Sequence, residues 1–278
     1  MKNERGSIAV LAFVTVMFIL IILATLFYSM VEKSKAQVIE MEKLSNIYDG
    51  DMGEVYRERQ NVKGIFATLY GDGSLVFSST NKTLEGKGTY TQYGDISNIT
   101  ITTTAQIPWY ANKESITSVD FTNTITPTTT AMWFSGCSNL TTITNMNYLD
   151  TSKVTSMTSM FEGCTSLASC DVSSLNTTNV TNMSSMFSGC TALTTLDLSS
   201  FNTSKVITMQ NLFNNCSNLT TIYASSSWTT TGITTSESLF TNCTKLVGGN
   251  GTVYSAEKIS LEYAKVDLAD VPGYFTSK

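Results

Sequence analysis

Apolar and polar positions recur on three length scales along this chain. From Ile8 to Tyr28 the only polar residues are Thr15 and Thr25. As a helix that run would rise about 30 Å, the hydrocarbon thickness of a bilayer. The pattern therefore predicts a transmembrane helix over 8–28, within a segment 1–30 that opens on the leader MKNERG. Lys2 and Arg5 place this end in the cytoplasm and everything after the span outside the cell. Met41, Leu44, Tyr48, Met52 and Val55 then recur at three- and four-residue intervals among charged residues. That spacing predicts an amphipathic helical stalk over 31–60, packed on its own domain or on a partner helix. From Gly64 the period shortens to two. IFATLYGDGSLVFSS predicts a hairpin turning at Gly71, Asp72 and Gly73, and Ile96–Ile107 predicts a strand closed by Pro108. SITSVDF predicts another, completing a β-rich N-terminal cap region over 61–130.

The longest period organises the rest. A pattern of 26 residues appears as DTSKVTSMTSMFEGCTSLASCDVSSL (150–175) and again as NTTNVTNMSSMFSGCTALTTLDLSSF (176–201). A copy follows over 202–228, a degraded one starts at Thr229, and a half-copy precedes the set at Ala131. The columns align as Phe134, Phe161, Phe187, Phe213, Phe240 and as Cys137, Cys164, Cys190, Cys216, Cys243. Such a period means stacked units. LTTLDLS has the leucine-rich-repeat spacing at Leu193, Leu196 and Leu198, which predicts a strand. VTNMSSMF places Val180, Met183, Met186 and Phe187 on one face of a short helix, started by Asn and Thr residues suited to turns and N-caps. The fold expected is α/β: a leucine-rich-repeat-like parallel solenoid of strand/short-helix coils over 131–254. A β-rich cap precedes it, a C-terminal cap over 255–278 follows it, and a long N-terminal transmembrane and stalk helix carries it.

Composition narrows the chemistry. There is no histidine, which removes Ser-His-Asp and Cys-His catalysis and histidine-containing zinc sites. The net charge of -5 argues against nucleic acid. Five of the six cysteines fill one column ahead of an apolar run, and Cys170 falls where neighbouring copies have Leu196 and Ile222. A buried ladder of free thiols is favoured over disulfides or a metal site. No cofactor, metal or catalytic residue is expected.

Two resemblances follow from these residues. The leader ending in Gly6, with the apolar helix after it, looks like the N-terminus of a type IV pilin-like protein, over about the first 55 residues. Cleavage after Gly6 would start the mature chain at Ser7 and put Leu11, not the usual Glu, at its fifth position. The repeat resembles the BspA-type bacterial surface repeat, V-T-x-M-x-x-M-F-x-G-C-x-x-L-x-x-L-D-L-S, and with its flanks covers roughly 64–278. This resemblance implies a cell-surface protein concerned with adhesion and carries over no catalytic residue.

The candidate binding face is the set of residues that alternate outward along the expected strands. These are Thr195 and Thr221; Asp171, Asp197 and Tyr223; and Ser173 and Ser199. Taken singly, each is a solvated surface residue. Together they offer short hydroxyls, two carboxylates and an aromatic ring to a protein or glycan on a host, matrix or neighbouring cell. The expectation is a membrane-anchored surface adhesin. The alternative is a pilin-like subunit that displays the repeats on a type IV pilus or secretion filament with pilus-type assembly partners. An enzyme acting through Asp171 and Asp197 is a distant third.

Overall fold

A computed structural model describes residues 63–81, 84 and 87–278. The expected membrane helix 8–28, the leader and the stalk 31–60 lie outside the described residues. Among the described residues no helix is long and apolar enough to cross a membrane. The single-pass localisation is accordingly withdrawn.

The hairpin forms as β1 (Lys63–Tyr70) and β2 (Ser74–Thr80), paired antiparallel with Leu69 opposite Leu75. Its turn needs glycine at Gly73, where φ is +84° and a Cβ would sit 2.6 Å from the Ser115 carbonyl oxygen. β3 (Tyr90–Tyr93) pairs antiparallel with β1, while β4 (Ser118–Phe121) and β5 (Thr142–Thr144) add in parallel beyond β2. The result is a five-stranded mixed sheet ordered β3-β1-β2-β4-β5. A separate parallel sheet joins β6 (Thr195–Asp197), β7 (Thr221–Ala224) and β8 (Phe275–Ser277) in that order. No strand forms over 96–107. Ile96 and Ile107 are buried instead as anchors of an irregular segment with a 3₁₀ turn at Thr104–Gln106.

The expected α/β leucine-rich-repeat solenoid is corrected by these observations. Among the described residues there is no α-helix, only four 3₁₀ turns. The sheets are small, one of them mixed, and no strand forms at Ser169–Val172 between β5 and β6. The reason lies in the amides of the segment read as a helix. An α-helix spends every N–H on the carbonyl four residues back. Here alternate N–H groups leave the unit: Phe134 donates to Met160 O at 2.9 Å, Phe161 to Met186 O at 2.9 Å and Phe187 to Leu212 O at 3.0 Å. The intervening ones turn back three residues, as Met160 does to Met157 O and Met186 to Met183 O. Left-handed residues make this alternation possible. Ser159, Ser185, Asn211 and Ser238 have φ between 54° and 57°. Four residues further on, Gly163 and Gly189, then Asn215 and Asn242, fill the same role at φ 61–73°. Glycine and asparagine are residue types that tolerate that region, whereas the three serines adopt it against their ordinary preference.

The side chains stack as the amides do. Phe134, Phe161, Phe187, Phe213 and Phe240 lie nearly parallel, with centroids 5.6–6.1 Å apart. All are buried, together with the Met157, Met183 and Met209 column. The six cysteines are free, and the five of the column are buried. A second column is polar and buried: Thr151, Thr177 and Thr203. Thr177 Oγ1 donates to Asn202 O at 3.0 Å and accepts from Asn202 N at 2.8 Å, and Thr151 does the same with Asn176. Each hydroxyl thereby satisfies one donor and one acceptor of the next unit, where turns and N-caps were expected.

Both ends of the stack are finished by other chemistry. At the first unit Trp133 O accepts from Trp109 Nε1 at 2.6 Å, and Phe77 stacks on Trp133 at 5.0 Å. At the last, Phe240 N donates to Ile259 O and Asn242 N to the Tyr254 hydroxyl. β8 then places the fully buried Phe275 beside Ile222, edge-on to Phe213, Phe240 and Trp228.

Candidate functional site

The site is built on β6 and β7, whose parallel register sets Thr195 beside Thr221 and Asp197 beside Tyr223. Leu196, Leu198, Ile222 and Ala224 are fully buried and hold both strands down. The alternate residues therefore point outward: Thr195 is exposed, and Thr221, Asp197, Tyr223 and Ser199 are half-buried. Ser199 lies just past β6, and its carbonyl oxygen accepts from Ser225 Oγ at 2.6 Å.

Asp171 and Ser173 are exposed but lie on no strand, contrary to expectation. Cys170 takes the column position held by the buried Leu196 and Ile222, and it is only half-buried. A side chain this small anchors its segment less firmly against the core than leucine or isoleucine does. Thr194 N still donates to Ala168 O at 3.4 Å, which keeps the segment alongside β6. Both aspartates make the same local turn, Asp171 Oδ1 accepting from Ser173 N and Asp197 Oδ1 from Ser199 N, each at 3.0 Å.

Sequence reasoning missed one participant. Lys278, directly after β8, reaches back across the sheet so that its ammonium bonds Asp197 Oδ2 and lies 5.6 Å from the Tyr223 ring centroid. Nothing in the spacing of 255–278 signals this, because β8 returns to β7 only after a 50-residue excursion. Burial pushes the Asp197 carboxyl up, but the bonds from Lys278 and Ser199 outweigh it and hold the group below the usual range. At Asp171 the Ser173 side-chain and backbone bonds lower it, the charge of Asp197 opposes them and that of Lys278 assists. The Lys278 ammonium is held protonated above its ordinary range, chiefly by its bond to Asp197. Asp197 and the Lys278 ammonium thus form an ion pair on this face.

A second outward row also escaped the sequence. Ser156, Asn182, Thr208 and Thr235 pair in parallel from unit to unit, and beside them Thr155, Ile207 and Thr234 are exposed. V-T-x-M sets its valine and methionine three residues apart, a spacing that also fits a helix and so gave no separate signal. Among the described residues no group of three or more His, Cys, Asp or Glu side chains is placed to hold a metal ion.

Residues 128–250 match the family model described as "Mycoplasma protein of unknown function, DUF285", so the similarity falls on the stacked units and on neither flank. Comparison with curated proteins and with solved structures returned no match.

Proposed function

We propose that this chain is a non-enzymatic binding protein of the bacterial surface-protein type, which engages a protein or glycan through the outward row of β6 and β7. The observation that carries the reading is the Thr195–Thr221 and Asp197–Tyr223 pairing on a fully buried apolar floor. A rigid strip of short hydroxyls beside an accessible tyrosine suits recognition, because little side-chain entropy is lost on contact. The likeness of the repeat to BspA-type surface repeats, and the match of 128–250 to a Mycoplasma family, support the same class. With no histidine in the chain, the short polar row has few groups for proton transfer near neutral pH.

The test is binding of the purified full chain to immobilised matrix proteins and to a glycan panel. Thr195→Val and Tyr223→Ala are expected to weaken capture at least several-fold without lowering the melting temperature. Unchanged capture by both variants would move the reading off this face.

A further inference from the structure

One cation already sits on the proposed binding face. The Lys278 ammonium bonds the Asp197 carboxylate and lies 5.6 Å from the centroid of the Tyr223 ring. A π face combined with a carboxylate is chemistry that favours a compact cation, and a primary ammonium fits it well. The lysine directly follows β8, 81 residues away from Asp197 in sequence, so the contact is no by-product of local chain geometry.

The contact is also built to open. The Lys278 side chain is 56% exposed and that of Asp197 32%, and exposed ion pairs of this kind hold weakly. The backbone beneath is held independently. Phe275 is fully buried, Tyr223 pairs with Thr276, and Lys278 N donates to Ala224 O at 3.1 Å. The side chain can therefore leave the face while β8 stays in place.

We infer that Asp197 and Tyr223 form a subsite for a lysine side chain of a protein partner, and that Lys278 fills it in cis as an autoinhibitory contact which the partner's lysine displaces. This rests on the binding reading above and narrows the partner to a protein with an exposed lysine, in place of a neutral glycan. An intramolecular competitor lowers apparent affinity by the fraction of molecules it keeps closed. Removing it raises affinity by the reciprocal of the fraction left open.

The experiment titrates the full chain with a fluorescent pentalysine peptide at low ionic strength, where exposed electrostatics are least screened. Lys278→Met is compared with the wild type and with a charge-matched control, Lys258→Met, whose ammonium lies instead over the Tyr263 ring. Lys278→Gln repeats the measurement should the Met variant melt early. The expected result is about two- to five-fold tighter binding for the Lys278 variants alone, the range an exposed ion pair can supply. Asp197→Asn added to Lys278→Met is expected to cancel the gain. An equal gain in Lys258→Met would reduce the effect to net charge and overturn the subsite, as would no gain at all. If the Lys278 variants are indifferent while Tyr223→Ala still loses matrix or glycan capture, the lysine subsite falls and the binding reading stands.

Discussion

The thiol of Cys190 donates to the carbonyl oxygen of Phe161, 3.1 Å away in the preceding unit. The same bond joins Cys164 to Phe134, Cys216 to Phe187 and Cys243 to Phe213 at 3.0–3.2 Å. A column that could be taken for a disulfide framework is instead a set of rungs made by neutral thiols. Serine would fit the hydrogen bond but would be poorer in the apolar surroundings; alanine would fit the surroundings and lose the bond.

Those rungs make stability sensitive to alkali. Burial pushes Cys137, Cys190 and Cys243 up to about 12 from an ordinary 9.0, and Cys164 and Cys216 upward as well. The unfolded chain therefore releases these protons first. Stability is fully present below pH 9 and falls as pH climbs towards 12, by about 1.4 kcal/mol per pH unit for each thiol titrating. Thermal melts at pH 8 and pH 10.5 should show a steep drop, and Cys190→Ala should make it shallower. A melting temperature indifferent to that pH change would refute the neutral-thiol column.

Thr177 offers a cleaner test of the buried polar rung. Thr177→Val keeps the shape but strands the amide and carbonyl of Asn202, both of which it now satisfies. The expected loss is about 1–3 kcal/mol, the cost of leaving buried polar groups without partners. Thr178→Val, at an exposed neighbour, should change little. Urea denaturation of the two variants decides the matter.

At Gly163 the argument concerns backbone rather than contact. A Cβ there would meet Gly136 Cα at 3.6 Å, an ordinary distance, but φ is +71°. Gly163→Ala should therefore cost about 1–2 kcal/mol through the left-handed conformation alone. Equal denaturation midpoints for variant and parent would show that the backbone relaxes.

Asp267 is one of the groups that make stability sensitive to acid. Its carboxylate accepts from Asn250 N, Thr252 N, Thr252 Oγ1 and Gly273 N, tying together two turns of the C-terminal region. Burial pushes the group up, yet these bonds prevail and leave it below its ordinary 3.8. Its contribution is present above that value and is lost as pH falls through the lower folded one. Asp267→Asn should destabilise the chain by about 2–3 kcal/mol at pH 7 and lessen the further loss between pH 4 and pH 2. An acid profile unchanged by the substitution would count against this account.

The legible part of the molecule was the part set by burial. The phenylalanine and cysteine columns, the β1–β2 hairpin and β4 follow from apolar spacing and glycine placement. What misled was a spacing shared by two backbones. Val180, Met183, Met186 and Phe187 face one way on a helix, but they also do so on a chain that reverses at Ser185. Only the destination of the amides separates the two. Asp197 and Tyr223 were readable as outward neighbours on paired strands, whereas Asp171 lost its strand to the small Cys170. Lys278 was illegible, since its position depends on a chain that leaves the stack after Leu246 and returns at Phe275.

The amide ladder through Phe134, Phe161, Phe187 and Phe213 has a sense, with donors always facing the following unit. A whole copy spliced between two others would find an acceptor on one side and a donor on the other, and both terminal caps would keep their own work. Lengthening the molecule thus needs no new chemistry, only duplication, at about 4.8 Å of added reach per copy.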